Sequence, residues 1–98
     1  MQIPKRIRVG SIEYATIMVD KAKRQHTLGT IDYTHGIIWL AKRDAYGNKL
    51  DKAELADSFW HEMTHAVLHD MKHELCSDEK FVNAFAKRLS SAINSAQL

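Results

Sequence analysis

The segment that decides the fold reads, from Asp51 to Lys72, DKAELADSFWHEMTHAVLHDMK. Its apolar residues recur at intervals of three and four, which is the spacing of an amphipathic helix. Asp51 precedes this run, and Glu54 follows three residues later, as in a capping box. The sequence therefore predicts a helix from about Lys52 to about Lys72.

The middle of this helix carries the pattern His61-Glu62-Met63-Thr64-His65. Two histidines four residues apart lie on one helix face, where both imidazoles can bind one Zn²⁺. A glutamate beside the first histidine is placed to take a proton from a water molecule at the metal. We therefore predict His61 and His65 as metal ligands and Glu62 as the catalytic base.

A catalytic zinc site needs a third protein ligand and one open position. Glu79 is the favoured candidate because it is longer than Asp78 and has Asn83 one turn later to support it. Both acids could instead only cap a second helix, where negative charge is favourable. His69 lies about 12 Å along the helix from the first histidine, which favours a packing or supporting role. Cys76 is a further candidate, although an inert thiol is its more common state.

The N-terminal half alternates apolar and polar residues and is rich in Ile, Val, Thr and Tyr, which favours strands. We expect a small twisted sheet of three to four strands, with a charged loop over residues 20–26. A break at Gly47-Asn48 separates this half from the helices. The candidate strands are residues 6–9, 14–19, 28–32 and 37–40.

We expect an α+β fold in which residues 1–98 form one domain. Residues 1–46 are mainly strands, residues 50–73 the active-site helix, and residues 77–96 a C-terminal helix bearing the glutamate. Ser77 is the expected N-cap of this last helix. Its apolar stripe, which includes Val82, Phe85 and Ala86, predicts packing on the first helix and on the sheet.

The composition is that of an ordinary globular protein, with 45% hydrophobic and 27% charged residues. A net charge of +2 is too small to indicate a nucleic-acid surface, so we expect no direct nucleic-acid binding. The single cysteine cannot form an internal disulfide, which favours the cytoplasm. We also expect no membrane span and no export signal, because the chain has no sufficiently long apolar run.

The segments from His61 to His69 and from Glu79 to Leu89 resemble the active-site helix and the glutamate helix of the ImmA/IrrE-type peptidases. Asn83, Phe85 and Ala86 match that family's glutamate helix, and Val82 replaces its usual alanine. The resemblance implies a minimal gluzincin with a zincin-like fold and Glu79 as the third zinc ligand. It also implies hydrolysis of a peptide bond in a protein substrate.

The chain also resembles small phage and prophage proteins that pair an Ile-Pro-Lys-Arg-Ile opening with a Gly-x-Ile-Asp-Tyr hairpin, here residues 29–33. This resemblance implies a bacterial or bacteriophage setting. The sequence has no helix-turn-helix module, so we expect any recruiting or activating function to come from a separate protein.

Two further features bear on substrate binding. The apolar strand at residues 37–40 is either an edge that pairs with an extended substrate or an ordinary core strand. Tyr33 or His35, in the turn before it, is a candidate to stabilise an oxyanion.

Two other functions compete with a peptidase. A catalytically silent binding module would keep the fold and dock to a host or phage protein. A purely structural zinc site is disfavoured because such sites normally have four protein ligands, often cysteines, and this chain has one cysteine.

Overall fold

The computed structural model describes residues 2–24 and 27–96, and these form a four-stranded mixed sheet followed by two α-helices. The expected α+β class is thereby confirmed. The single-domain assignment covers all 98 residues and stays a prediction, since five of them lie outside the described parts. The elements are β1 (Arg6–Val9), β2 (Ile12–Lys21), β3 (Gly29–Asp32), β4 (Ile37–Arg43), α1 (Lys52–Asp70), a 3₁₀ turn η1 (Glu74–Ser77) and α2 (Glu79–Ser95).

The strands are ordered β1-β2-β4-β3, so β4 lies inside the sheet and β3 forms one edge. β4 pairs parallel with β2 and antiparallel with β3. Of the two interpretations of residues 37–40, the substrate-pairing edge is therefore wrong, and the ordinary core strand agrees with the structure. A continuous apolar run is typical of a strand with neighbours on both sides, and periodicity alone does not reveal strand order. β2 continues to Lys21, which shortens the expected loop, and residues 25 and 26 lie outside the described parts.

The core lies between α1 and one face of the sheet. Tyr14, Ile38 and Leu40 from the strands pack with Phe59, Met63 and Ala66 from the helix, and the first four of these are fully buried. Val67, an apolar residue of α1 next to Ala66, is 43% exposed. The Val67 side chain points about 100° around the helix axis from that of Ala66, outside the face of α1 that the sheet covers.

Local backbone chemistry fixes both ends of α1. At the start, Asp51 accepts a hydrogen bond from the Glu54 backbone N–H, and the Glu54 side chain accepts one from Asp51 N–H. At the end, Lys72 adopts a left-handed conformation with φ 53°, and His73 N–H donates to the Leu68 carbonyl. This is a Schellman motif with lysine in the position that glycine usually takes. The helix consequently ends at Asp70, before the predicted Lys72.

The second helix differs from prediction in two ways. Asp78, not Ser77, is its N-cap, because the Asp78 carboxylate accepts from Phe81 N–H at 3.0 Å. The helix packs on α1 and η1 and makes no comparable contact with the strands. Its buried stripe is narrow, and Phe85, expected to be in that stripe, is 48% exposed. No helix in the described ranges has the length and apolar character needed to cross a membrane.

Candidate metal centre

Helix α1 presents His61 and His65 one turn apart on a single face. Their ring centroids are 5.0 Å apart, and the rings meet edge to face. His65 is buried and His61 is partly buried. The helical spacing thus places both imidazoles at one point of the surface of α1, as the sequence predicted for a chelating pair.

Glu79, the first residue of α2, completes a three-residue group with this pair. Its carboxylate oxygens lie 3.1 Å from His61 Nε2 and 2.9 Å from His65 Nε2. One donor atom from each of the three residues falls within 4.8 Å of the others. Because zinc ligands at about 2.0–2.1 Å from the ion are about 3.4 Å from one another, these donors fit around a single ion after small adjustments. The three residues can hold a metal ion.

The hydrogen bonds of His65 also favour a cation at this point. Its Nδ1 lies 2.8 Å from the Cys76 carbonyl oxygen, which can only accept, so Nδ1 carries a proton. A neutral ring then has a lone pair at Nε2, directed at a Glu79 oxygen 2.9 Å away. Two electron-rich atoms at that distance need a proton or a metal ion between them. The Cys76 carbonyl is also the kind of partner that orients a metal-binding histidine.

The competing third ligands have other roles. Asp78 caps α2, and the Cys76 thiol lies 3.4 Å from the Tyr33 hydroxyl and 3.5 Å from the His65 carbonyl. His69 stacks on Tyr33 with ring centroids 3.8 Å apart, which is the packing role expected for it. Within the parts of the chain that the structure describes, the three-residue group formed with Glu79 is the only one of its kind.

No family model, curated protein or solved structure matches the chain.

Glu62 is 5% exposed and lies next to the metal-binding group. Burial raises the pKa of its carboxyl to about 8, and the nearby negative charge of Glu79 acts in the same direction. A carboxyl with a pKa close to neutrality can both accept and return a proton. A cation on the neighbouring ligands would lower this pKa again, because it stabilises the carboxylate.

The pKa of His61 is shifted in the opposite direction, below its usual value. Burial lowers its pKa, the nearby His65 lowers it further, and the Glu79 carboxylate offsets part of the effect. A hydrogen bond that the His61 ring donates to the side-chain oxygen of Asn83 also raises it. Asn83 thus lies beside His61, whereas the sequence suggested that it would support Glu79. A neutral imidazole is the form that binds metal.

A cleft runs past these residues, with β3 as one wall and η1 and α2 as the other. Its central part, about 640 Å³, is lined by Gly29, Thr30 and Ile31 of β3 and by both histidines, Glu62 and Glu79. Gly29 makes room for the acid, because a Cβ at that position would lie 3.1 Å from Glu62 Oε2. A second part, about 420 Å³, continues along Leu28 and Gly29 toward the start of α1.

The two oxyanion candidates, Tyr33 and His35, differ in their position relative to the cleft. Tyr33 lines the cleft, and its pKa is raised by burial first, then by the Cys76 thiol, with Glu62 a smaller contributor. Its phenol thus stays a hydrogen-bond donor throughout the neutral range. His35 is exposed and pairs with Asp32 at 2.8 Å, and it is not among the residues that line the cleft.

Sequence reasoning missed two contributors to the site. Gly29 appeared only as part of a hairpin motif, although its missing side chain makes room for Glu62. The Cys76 carbonyl, which orients His65, is a backbone group and leaves no signal in residue type.

Proposed function

We propose that this chain is a zinc-dependent metallopeptidase with a zincin-like fold of the gluzincin type. One observation carries the proposal: His61, His65 and Glu79 converge within 4.8 Å, with the buried carboxyl of Glu62 beside them in an open cleft. The resemblance to the ImmA/IrrE-type peptidases agrees with this arrangement. A bacterial or bacteriophage setting and a cytoplasmic location belong to the same proposal.

The donor set suits catalysis better than structure. Two imidazoles and one carboxylate are the protein ligands of known zinc peptidases, and they leave one coordination position open. Zinc held there would supply a Lewis acid that activates water and polarises a peptide carbonyl. Glu79 is 65% exposed and lines the cleft, so the three-residue group is open to the cleft and is not enclosed in the core.

The chain's own residues supply proton transfer and positioning. Glu62 accepts a proton from the attacking water and returns it to the leaving amine. Tyr33 donates a hydrogen bond to the carbonyl oxygen as it gains negative charge. The Cys76 carbonyl holds the His65 ring in the orientation that the ligand set requires.

The edge strand β3 is the proposed binding site for substrate. It pairs with β4 along one side, while its residues Gly29, Thr30 and Ile31 border the cleft on the other. An extended peptide that adds to such an edge gains backbone hydrogen bonds whatever its sequence. A peptide on β3 would pass directly in front of Glu62.

The decisive experiment measures zinc content and peptide cleavage in the same preparations. We expect one zinc per wild-type chain, cleavage of a casein-derived peptide mixture, and loss of cleavage with retained zinc in Glu62→Gln. Glu79→Ala should lose zinc, whereas the matched control Asp78→Asn, which keeps a capping side chain, should retain it. Cleavage by Glu62→Gln at the wild-type rate, or full zinc content in Glu79→Ala, would refute the proposal.

One feature favours the alternative of a catalytically silent binding module. Phe85 is 48% exposed and stacks on Phe81 at 5.7 Å, which leaves an aromatic pair on the outer side of α2. Exposed aromatic residues are enriched in protein interfaces. This alternative predicts zinc binding without any cleavage by wild-type protein, and partner binding that Glu62→Gln leaves unchanged.

A further inference from the structure

A second depression, separate from the metal cleft, lies where β2, β3 and β4 meet the segment after β2. We call it the basic groove and define it by Lys21, Lys23, Arg24, Leu28, Trp39 and Ala41. Its volume is about 600 Å³. The apolar members form its floor, and the three cationic residues are exposed on its rim.

The basic groove lies on the face of the sheet that the helices leave uncovered. Successive side chains of a strand point to opposite faces. Ile38 and Leu40 pack in the core against α1, so Trp39 and Ala41, which alternate with them along β4, point to the other face. The groove therefore offers an apolar surface that neither helix covers.

The charge of the groove is strongly one-sided. Among the described residues, its lining contains three cationic side chains and no acid. Within residues 2–24 and 27–96, none of these three side chains takes part in a salt bridge. The metal cleft has the opposite character, with Glu62, Glu74 and Glu79 in its lining. An acidic ligand would thus be attracted by the groove.

The two depressions share one wall. Thr27, Gly29 and Thr30 line both the basic groove and the central cleft, and Leu28 lines both the groove and the second part of the cleft. These residues form the start of β3 and the segment before it. A peptide lying along the edge of β3 past Glu62 therefore reaches the basic groove without leaving the protein surface.

We propose that the basic groove binds a segment of the protein substrate flanking the scissile bond, a segment that combines acidic with apolar side chains. This inference rests on the proposed peptidase function and adds the substrate class. Carboxylates of the segment pair with Lys21, Lys23 and Arg24. Its apolar side chains cover Leu28 and Trp39. This burial of apolar surface contributes binding free energy, whereas ion pairs at an exposed rim contribute little.

The test uses fluorescent peptides of alternating glutamate and leucine, with glutamine and leucine as the matched neutral probe. Binding is measured by anisotropy on the full chain with zinc and again with a chelator, because no residue of the groove is a proposed metal ligand. We expect the acidic peptide to bind about tenfold more tightly than the neutral one. Replacing Lys21, Lys23 and Arg24 together with glutamine should remove this preference.

The control replaces Lys49, Lys52 and Arg88 with glutamine, which changes the net charge equally at exposed positions outside the groove. This control should keep the preference. Equal binding of both peptides, or a preference that survives the groove replacement, would overturn the groove assignment even if zinc and cleavage are found. Tighter binding of a single-stranded oligonucleotide than of the acidic peptide, lost on groove replacement, would also overturn it.

The cleavage assay with wild-type chain and zinc distinguishes this inference from the proposed function. Cleavage without an acidic preference refutes the groove assignment alone. An acidic preference that persists with chelator, in a chain that neither binds zinc nor cleaves peptide, refutes the peptidase and leaves a groove for acidic segments.

Discussion

Replacing Glu62 with glutamine should stabilise the metal-free protein, and the gain should grow with pH. The folded chain holds the Glu62 proton up to about pH 8, whereas the unfolded chain releases it near pH 4.5. Between these values the folded state binds more protons, so the free energy of unfolding of the wild type falls as pH rises. Glutamine has nearly the same shape and no charge to bury.

The magnitude follows from the two pKa values. The unfolded carboxyl has a pKa of 4.5, which is about 2.5 units below pH 7, and each unit corresponds to about 1.36 kcal/mol. The glutamine variant should therefore be about 3 kcal/mol more stable at about pH 7, and less than about 1 kcal/mol more stable at about pH 5. Other ionisable groups are common to both proteins, so the difference isolates the acid at position 62.

Urea unfolding followed by tryptophan fluorescence, with a chelator present, measures this difference. Glu74→Gln is the matched control, because Glu74 is exposed on η1 and its replacement should change stability by little at either pH. A difference in free energy of unfolding between wild type and Glu62→Gln that stays constant from about pH 5 to about pH 7 would refute the reasoning. That result would mean that the carboxyl is solvated in the folded chain.

Three other perturbations test separate parts of the structure. Tyr33→Phe should lower the cleavage rate at least about tenfold with zinc content unchanged, since it removes one donor from the cleft, and an unaltered rate would exclude the phenol from the reaction. Gly29→Ala should lower the rate of cleavage while zinc binding persists, because the new Cβ would meet Glu62 Oε2 at 3.1 Å; wild-type activity would show that the acid has space to move. Asp51→Ala should cost about 1 kcal/mol in urea unfolding through loss of the capping box, and no change would mean that the α1 terminus is held by packing alone.

The elements that sequence predicted well are those with strong local patterns. The start of α1 was predictable because Asp51 and Glu54 carry the capping-box pattern, and all four strands lie where alternation and hairpin residues placed them. The histidine pair was equally local, since helical spacing alone brings His61 and His65 together. The choice of Glu79 over Asp78 depended on the path of the connection through η1, and the resemblance favoured the residue that the structure brings to the histidines.

The remaining errors concern relations that are not local. Strand order depends on which edges meet, so the position of β4 inside the sheet could not be deduced from the apolar run at residues 37–40. The exposure of Phe85 reflects a helix that packs on α1 and η1 and not on the sheet, so that only a narrow stripe of it is covered. Lys72 follows α1 in a left-handed conformation that is unfavourable for lysine. The sequence pattern therefore predicted an end at Lys72, whereas the helix ends at Asp70.

The limited packing of α2 has a consequence for the lifetime of the protein. This helix rests on α1 and η1 alone, and its first residue is joined to both histidines of α1. A metal ion shared across that junction would fasten α2 to α1, and its removal would let α2 detach before the sheet unfolds. Sensitivity to degradation would then follow the supply of the ion, because detachment of α2 exposes the chain to proteases.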